Sequence, residues 1–169
     1  PADSEALLRA LLCGDAGGVE VHLGRLLLES ASFLDATERA VAMTPEQVYH
    51  AFVLGLLVHL QPRYLVRSNR ESGHGRYDIL LEPREPGQPG VVLEFKVRRG
   101  AETVGRVAGR ALRQLARQDY AAELRARGVR VIYEYAVVFD GKRVQVALGG
   151  RARDGKGAVA PRRPRPKKR

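Results

Sequence analysis

Asp78, Glu94 and Lys96 are the residues of this chain whose types and spacing point to hydrolytic chemistry. The string Val91-Val92-Leu93-Glu94-Phe95-Lys96-Val97 is apolar enough for a central strand. Side chains alternate along a strand, so Glu94 and Lys96 share one face and Phe95 takes the other. Arg76 to Glu82 reads as the preceding strand and carries Asp78. Antiparallel pairing across the Pro83–Gly90 loop brings Asp78 alongside Glu94. Two carboxylates a few Å apart repel unless they share a proton or hold a divalent cation. Hard oxygen donors favour Mg²⁺ or Mn²⁺. A neighbouring lysine can orient or deprotonate an attacking water and offset charge on a phosphorane-like transition state. The bland alternative is two surface carboxylates with a partner lysine. Against it, an apolar strand rarely carries Glu and Lys on one face unless that face is functional or solvated.

The elements that must position these residues follow from the hydrophobic pattern. Ser4–Leu12 and Val19–Ser30 have helical spacing, with Gly14-Asp15 ending the first. Thr37–Ala42 is a connector. Thr44-Pro45-Glu46-Gln47 is a helix start, with Thr as N-cap, Pro first in the helix and Gln47 closing a capping box. That helix runs to about Leu60 and is apolar on most sides, as a central packing element is. Arg63–Ser68 is a strand, followed by a loop over Asn69–Gly75 and the two strands already named. Thr103–Arg127 is helical with a break near Asp119, and Gly128 ends it. Val129–Phe139 and Lys142–Leu148 form two more strands, joined by Asp140-Gly141 as a two-residue turn. The order is two leading helices, then helix, three strands, helix, two strands.

With these motifs in place, the sequence resembles the PD-(D/E)XK phosphodiesterase superfamily, and within it the bacterial domain found C-terminal to AAA-ATPase-like domains. The resemblance rests on Glu46-Gln47-Val48-Tyr49-His50 with Gly55-Leu56-Leu57, on Arg67-Ser68-Asn69-Arg70-Glu71-Ser72-Gly73 with Gly75-Arg76-Tyr77-Asp78, and on Glu94-Phe95-Lys96. Gln114, Tyr120 and Phe139-Asp140-Gly141-Lys142 follow, so it spans about residues 4 to 148. It implies an α/β, restriction-endonuclease-like fold: a mixed central sheet flanked by helices, core order αβββαβ, with two extra N-terminal helices. Residues 1–44 would be helices packing on a nuclease-like core of 45–148, and 149–169 a basic tail. The implied activity is metal-dependent hydrolysis of nucleic acid, DNA in the first place. Asp78 and Glu94 would bind Mg²⁺ or Mn²⁺, the Phe95 carbonyl would be a third ligand, and Lys96 would serve the water. Glu46 would be the helix-borne acid, a further ligand or water anchor. Gln114 would brace the site or touch the scissile phosphate. Tyr77 stands where the superfamily name has Pro.

The remaining basic residues divide into three sets. Arg67, Arg70 and Arg76 surround the loop before Asp78, where guanidinium forks would clamp phosphate; pairing with Glu71 or Glu82 is the alternative. Arg106, Arg110, Arg113 and Arg117 form one helical stripe opposite Val107, Ala108, Ala111, Leu112 and Leu115. That stripe is either a phosphate-contacting ridge or a solvated face. The tail from Arg151 holds nine Lys and Arg and one acid, so it carries +8 of the net +10. Without apolar periodicity and rich in Pro, it is expected to be disordered and to add affinity for phosphate backbones. His50, one turn after Glu46, is placed to hydrogen-bond an active-site acid. His74 lies in the loop near the site, while His22 and His59 read as core or surface residues.

Composition excludes several classes. A single cysteine, Cys13, leaves no disulfide framework and no Cys-rich zinc module. No apolar run is long enough for a membrane span, and the start carries no signal-peptide pattern. A reducing cytoplasm is the expected location. The first residue is Pro and not Met, which reads as a processed or excised segment of a longer protein. There is no phosphate-binding loop for a nucleotide. An AAA-type ATPase domain, in the same or another chain, and a second copy of this chain are the expected protein partners. The competing readings are a nuclease-like fold that binds nucleic acid without cutting it and an interaction domain for an ATPase.

Overall fold

The computed structural model describes residues 2–30, 43–68 and 77–149. Its centre is a five-stranded sheet in the order β1-β2-β3-β4-β5. The strands are β1 (Tyr64–Ser68), β2 (Ile79–Pro83), β3 (Gly90–Val97), β4 (Ile132–Asp140) and β5 (Arg143–Leu148). β1, β2 and β3 pair antiparallel, β3 and β4 parallel, and β4 and β5 antiparallel. A parallel pair needs a long crossover, and α4 (Val104–Gln118) with α5 (Ala121–Ala126) supplies it. The fold is the expected α/β arrangement, a mixed sheet flanked by helices and consistent with a restriction-endonuclease-like fold.

β3 carries buried apolar residues on both faces because both are covered. Val91, Leu93 and Phe95 enter the main core with α1 (Ala2–Cys13), α2 (Ala16–Glu29) and α3 (Pro45–Leu57), while Val92 packs beneath α4 and α5 with Ala111, Leu115 and Leu124. A Cβ at Gly90, where the strand begins, would sit 2.8 Å from Leu124 Cδ1, so that side chain would have to shift. The leading helices belong to the same core, through Leu7, Leu11, Val19, Leu23 and Leu27. α2 lies across the outer edge of the sheet, and Glu20 Oε2 accepts the Val146 N–H at 2.9 Å.

Helix boundaries follow their caps. Asp15, expected to end α1, also starts α2 by accepting the Gly18 N–H. The capping box of Thr44 and Gln47 is formed. α3 stops at Leu57, and a single 3₁₀ turn, Val58–Leu60, completes the stretch. The long helical region breaks where expected, because Asp119 adopts a left-handed conformation at φ 46°. Gly128 follows with φ 83°. Several boundaries differ from the sequence expectation, four of them as follows. β2 begins three residues later than Arg76, and Asp78 stands just ahead of it. β4 begins at Ile132 rather than Val129. α2 begins three residues before Val19. The β4–β5 turn is Gly141-Lys142, since Asp140 still pairs with Arg143. The connector at 37–42 and the whole loop at 69–75 lie outside the described residues. No helix among the described residues is long and apolar enough to cross a membrane.

Candidate active site

Asp78 lies one residue beyond the last ladder pair, Ile79 with Leu93. Its N–H donates to the Leu93 carbonyl at 3.1 Å, and its Oδ2 accepts the Phe95 N–H at 2.6 Å. The carboxylate thus takes the place of a backbone acceptor where β2 has not yet begun. This is why Asp78 sits beside β3 without belonging to the ladder. Within a strand the N–H and C=O of one residue point to the same edge. The Phe95 carbonyl therefore faces the side on which Asp78 stands.

Glu94 and Lys96 share the face of β3 that α4 covers, as alternation requires. Lys96 Nζ lies 2.5 Å from Glu94 Oε1. Glu94 is 2% exposed, and its Oε2 is buried with no hydrogen-bond partner. Burial pushes its carboxyl up to about 7, the charge of Asp78 adds to the rise, and Lys96 opposes it. Asp78 is also raised, first by burial, against the Phe95 N–H, Lys96 and His50, which favour its charged form. The charge of half-buried Glu46, on the first turn of α3, raises both carboxyls.

The donor chemistry suits a hard divalent cation: an orphaned carboxylate oxygen on Glu94, a second carboxylate coupled to it and a carbonyl on the same edge. Among the described residues no group of three or more His, Cys, Asp or Glu is gathered closely enough to hold a metal ion. Asp78, Glu94 and Glu46 are thus linked by charge without forming a three-carboxylate cluster.

Gln114 Nε2 donates to the Tyr120 hydroxyl at 3.3 Å. That hydroxyl is held up by burial and feels the charges of Glu94, Lys96 and Asp78. The Tyr77 ring meets Tyr120 edge-on at 5.8 Å. Gln114 thus reaches the site through Tyr120, a residue to which sequence reasoning gave no role. Six residues apart, the two would lie on different faces of an unbroken helix; the left-handed turn at Asp119 lies between them. His50 is buried, as a residue near the acids should be, but it contacts the Asp78 backbone carbonyl rather than a carboxylate.

Arg67, expected beside the loop before Asp78, is engaged in ion pairs. Its guanidinium lies 2.9 Å from Glu82 Oε2 and 2.6 Å from Glu123 Oε1, and Arg127 bonds the same two carboxylates. Two forks and two carboxylates neutralise one another, which is the ion-pair arrangement named as the alternative, with Glu123 and Arg127 added to Glu82. Arg70, Arg76 and His74 lie outside the described residues. Arg106, Arg110, Arg113 and Arg117 are all exposed, on the side of α4 away from the sheet. Arg110 is held by Glu102 through both carboxylate oxygens. His22 is half-buried and bonded to Asp3, and His59 is exposed.

A search of curated proteins finds no match to the chain. The sequence model of the PD-(D/E)XK nuclease superfamily matches residues 44–148, an interval that contains α3, every strand and all the side chains gathered around Glu94. The chain belongs to the PD-(D/E)XK nuclease superfamily.

Proposed function

We propose that this chain is a phosphodiesterase that hydrolyses nucleic acid, DNA in the first place, with Mg²⁺ or Mn²⁺ held by Asp78 and Glu94. The observation that carries this reading is Glu94 Oε2, a buried carboxylate oxygen without a partner beside a second carboxyl whose charge it feels. Such an arrangement is costly unless a cation or proton occupies it. The Phe95 carbonyl would complete the protein's share of the ligands. A bound cation of this kind acidifies water and offsets charge on the phosphoryl oxygens.

The side chains divide the remaining work. Lys96, released from Glu94, orients the attacking water and stabilises negative charge on the phosphorus oxygens. Glu46 anchors a water at the mouth of the site. Gln114 holds the Tyr120 hydroxyl beside the carboxylates. The exposed guanidiniums of Arg106, Arg113 and Arg117 and the basic residues from Arg151 onward draw in the phosphate backbone without specifying sequence. An AAA-type ATPase domain and a second copy of the chain remain proposals that rest on the resemblance.

Incubation with supercoiled plasmid tests the reading. Nicking should need Mg²⁺ or Mn²⁺, and both Asp78→Ala and Glu94→Ala should abolish it while circular dichroism keeps its native form. If both variants cut at the native rate, the site lies elsewhere. DNA binding with no metal-dependent cut would favour the catalytically silent alternative.

A further inference from the structure

We infer that His50 is a positioning residue that fixes the peptide of Asp78, and so the aim of its carboxylate, from a helix outside the sheet. The inference rests on the proposed role of Asp78 as a metal ligand. His50 lies on α3 and is 5% exposed. Its Nε2 stands 3.2 Å from the Asp78 carbonyl and 3.1 Å from Ser68 Oγ. A carbonyl only accepts, so the contact places the one Nε2 proton toward the Asp78 carbonyl, and Ser68 Oγ shares that N–H as a second acceptor. The ring meets Phe95 edge-on at 5.8 Å.

The position of this contact in the ladders gives it its consequence. Ser68 with Ile79 is the last pair of β1 and β2, and Ile79 with Leu93 the last of β2 and β3. Asp78 is therefore the first residue that neither ladder holds. His50 bridges the open end, joining Ser68 at the close of β1 to Asp78 before the start of β2. Three separate bonds then fix one residue: its N–H to Leu93, its carbonyl to His50 and its carboxylate to the Phe95 N–H. Remove the His50 bond and the peptide can rotate, turning the carboxylate away from Phe95 and from Glu94. Outer partners that orient a ligand in this way change metal affinity by about 10- to 100-fold when removed.

The test compares His50→Phe, which keeps an aromatic ring against Phe95, with His50→Gln, which keeps an N–H at similar reach. Mn²⁺ affinity is read by calorimetry, exchange of the Phe95 amide by NMR, and melting temperature alongside. His50→Phe should weaken Mn²⁺ binding at least tenfold and speed Phe95 exchange, and His50→Gln should restore both. If His50→Phe does not fold, His50→Asn gives the same contrast, since it is one methylene shorter than Gln. Native affinity and native exchange in the Phe or Asn variant would overturn the inference. So would a Gln variant as impaired as the other, since ring packing alone would then matter. Should the native protein bind no Mn²⁺, the proposed metal role falls, and the Phe95 exchange still decides whether His50 positions Asp78.

Discussion

Lys96 holds one oxygen of Glu94 at 2.5 Å, while the other oxygen of the same carboxylate is buried and unpartnered. The pair is thus half satisfied, and it is asymmetric. Truncating Lys96 leaves a buried carboxylate with no bond at all, whereas neutralising Glu94 removes the need for one.

Lys96→Met should therefore lower stability by about 1–3 kcal/mol, and the double variant with Glu94→Gln should recover most of that loss. Urea melts of the two single variants and the double variant measure the coupling. Cleavage by Lys96→Met at saturating Mn²⁺ should fall by about a hundredfold or more.

Glu134, on β4, gives stability a pH dependence. Burial pushes its carboxyl up to about 7, with Asp119 adding to the rise and Arg125 opposing it. A carboxyl raised on folding contributes fully below its unfolded value, here 4.5, and that contribution is lost as pH rises through about 7. Glu134→Gln should match the native protein near pH 4 and exceed it near pH 8. Urea midpoints at the two pH values check the sign; a variant less stable than the native protein near pH 8 would contradict it.

Arg67 is bound into a lattice with Glu82, Glu123 and Arg127 that ties β1 and β2 to α5. Arg67→Ala should cost about 1 kcal/mol of stability and leave DNA affinity unchanged. Chemical denaturation and fluorescence anisotropy on one duplex separate the two effects.

The exposed arginines of α4 should differ among themselves. Arg110 is already neutralised by Glu102, so Arg110→Ala should barely alter binding. Replacing Arg106, Arg113 and Arg117 together should flatten the log–log salt dependence, by about 0.9 for each duplex phosphate that is no longer neutralised. Deleting residues 151–169 should flatten it further without changing the single-turnover rate at saturating DNA. A fall in that rate of more than about tenfold, ~1.4 kcal/mol of barrier, would mean that the tail positions the scissile phosphate.

Much of the site was legible because alternation is local. Glu94 and Lys96 must share a face in any strand, and Phe95 must oppose them. Thr44 and Gln47 likewise declared the start of α3 through chemistry within four residues. The register that sets Asp78 beside Phe95 was expected in outline only, since its exact bonds depend on where β2 begins. Tyr120 could not be placed, because its approach to Gln114 depends on a left-handed Asp119, which helical periodicity does not encode. The fate of Arg67 was equally distant: Glu82 was named as one partner, but Glu123 lies 56 residues away and meets it only after the crossover helices have folded back.

The bond from Glu20 to the Val146 N–H has a consequence for how this protein can be divided. The family match begins at residue 44, so an excision on that boundary removes α2 and strips the flank of β5. A strand with bare N–H groups is a template for intermolecular pairing. The excised piece would also expose the apolar surface that Leu23 and Leu27 cover. It should therefore associate into oligomers or precipitate where the longer chain stays dispersed.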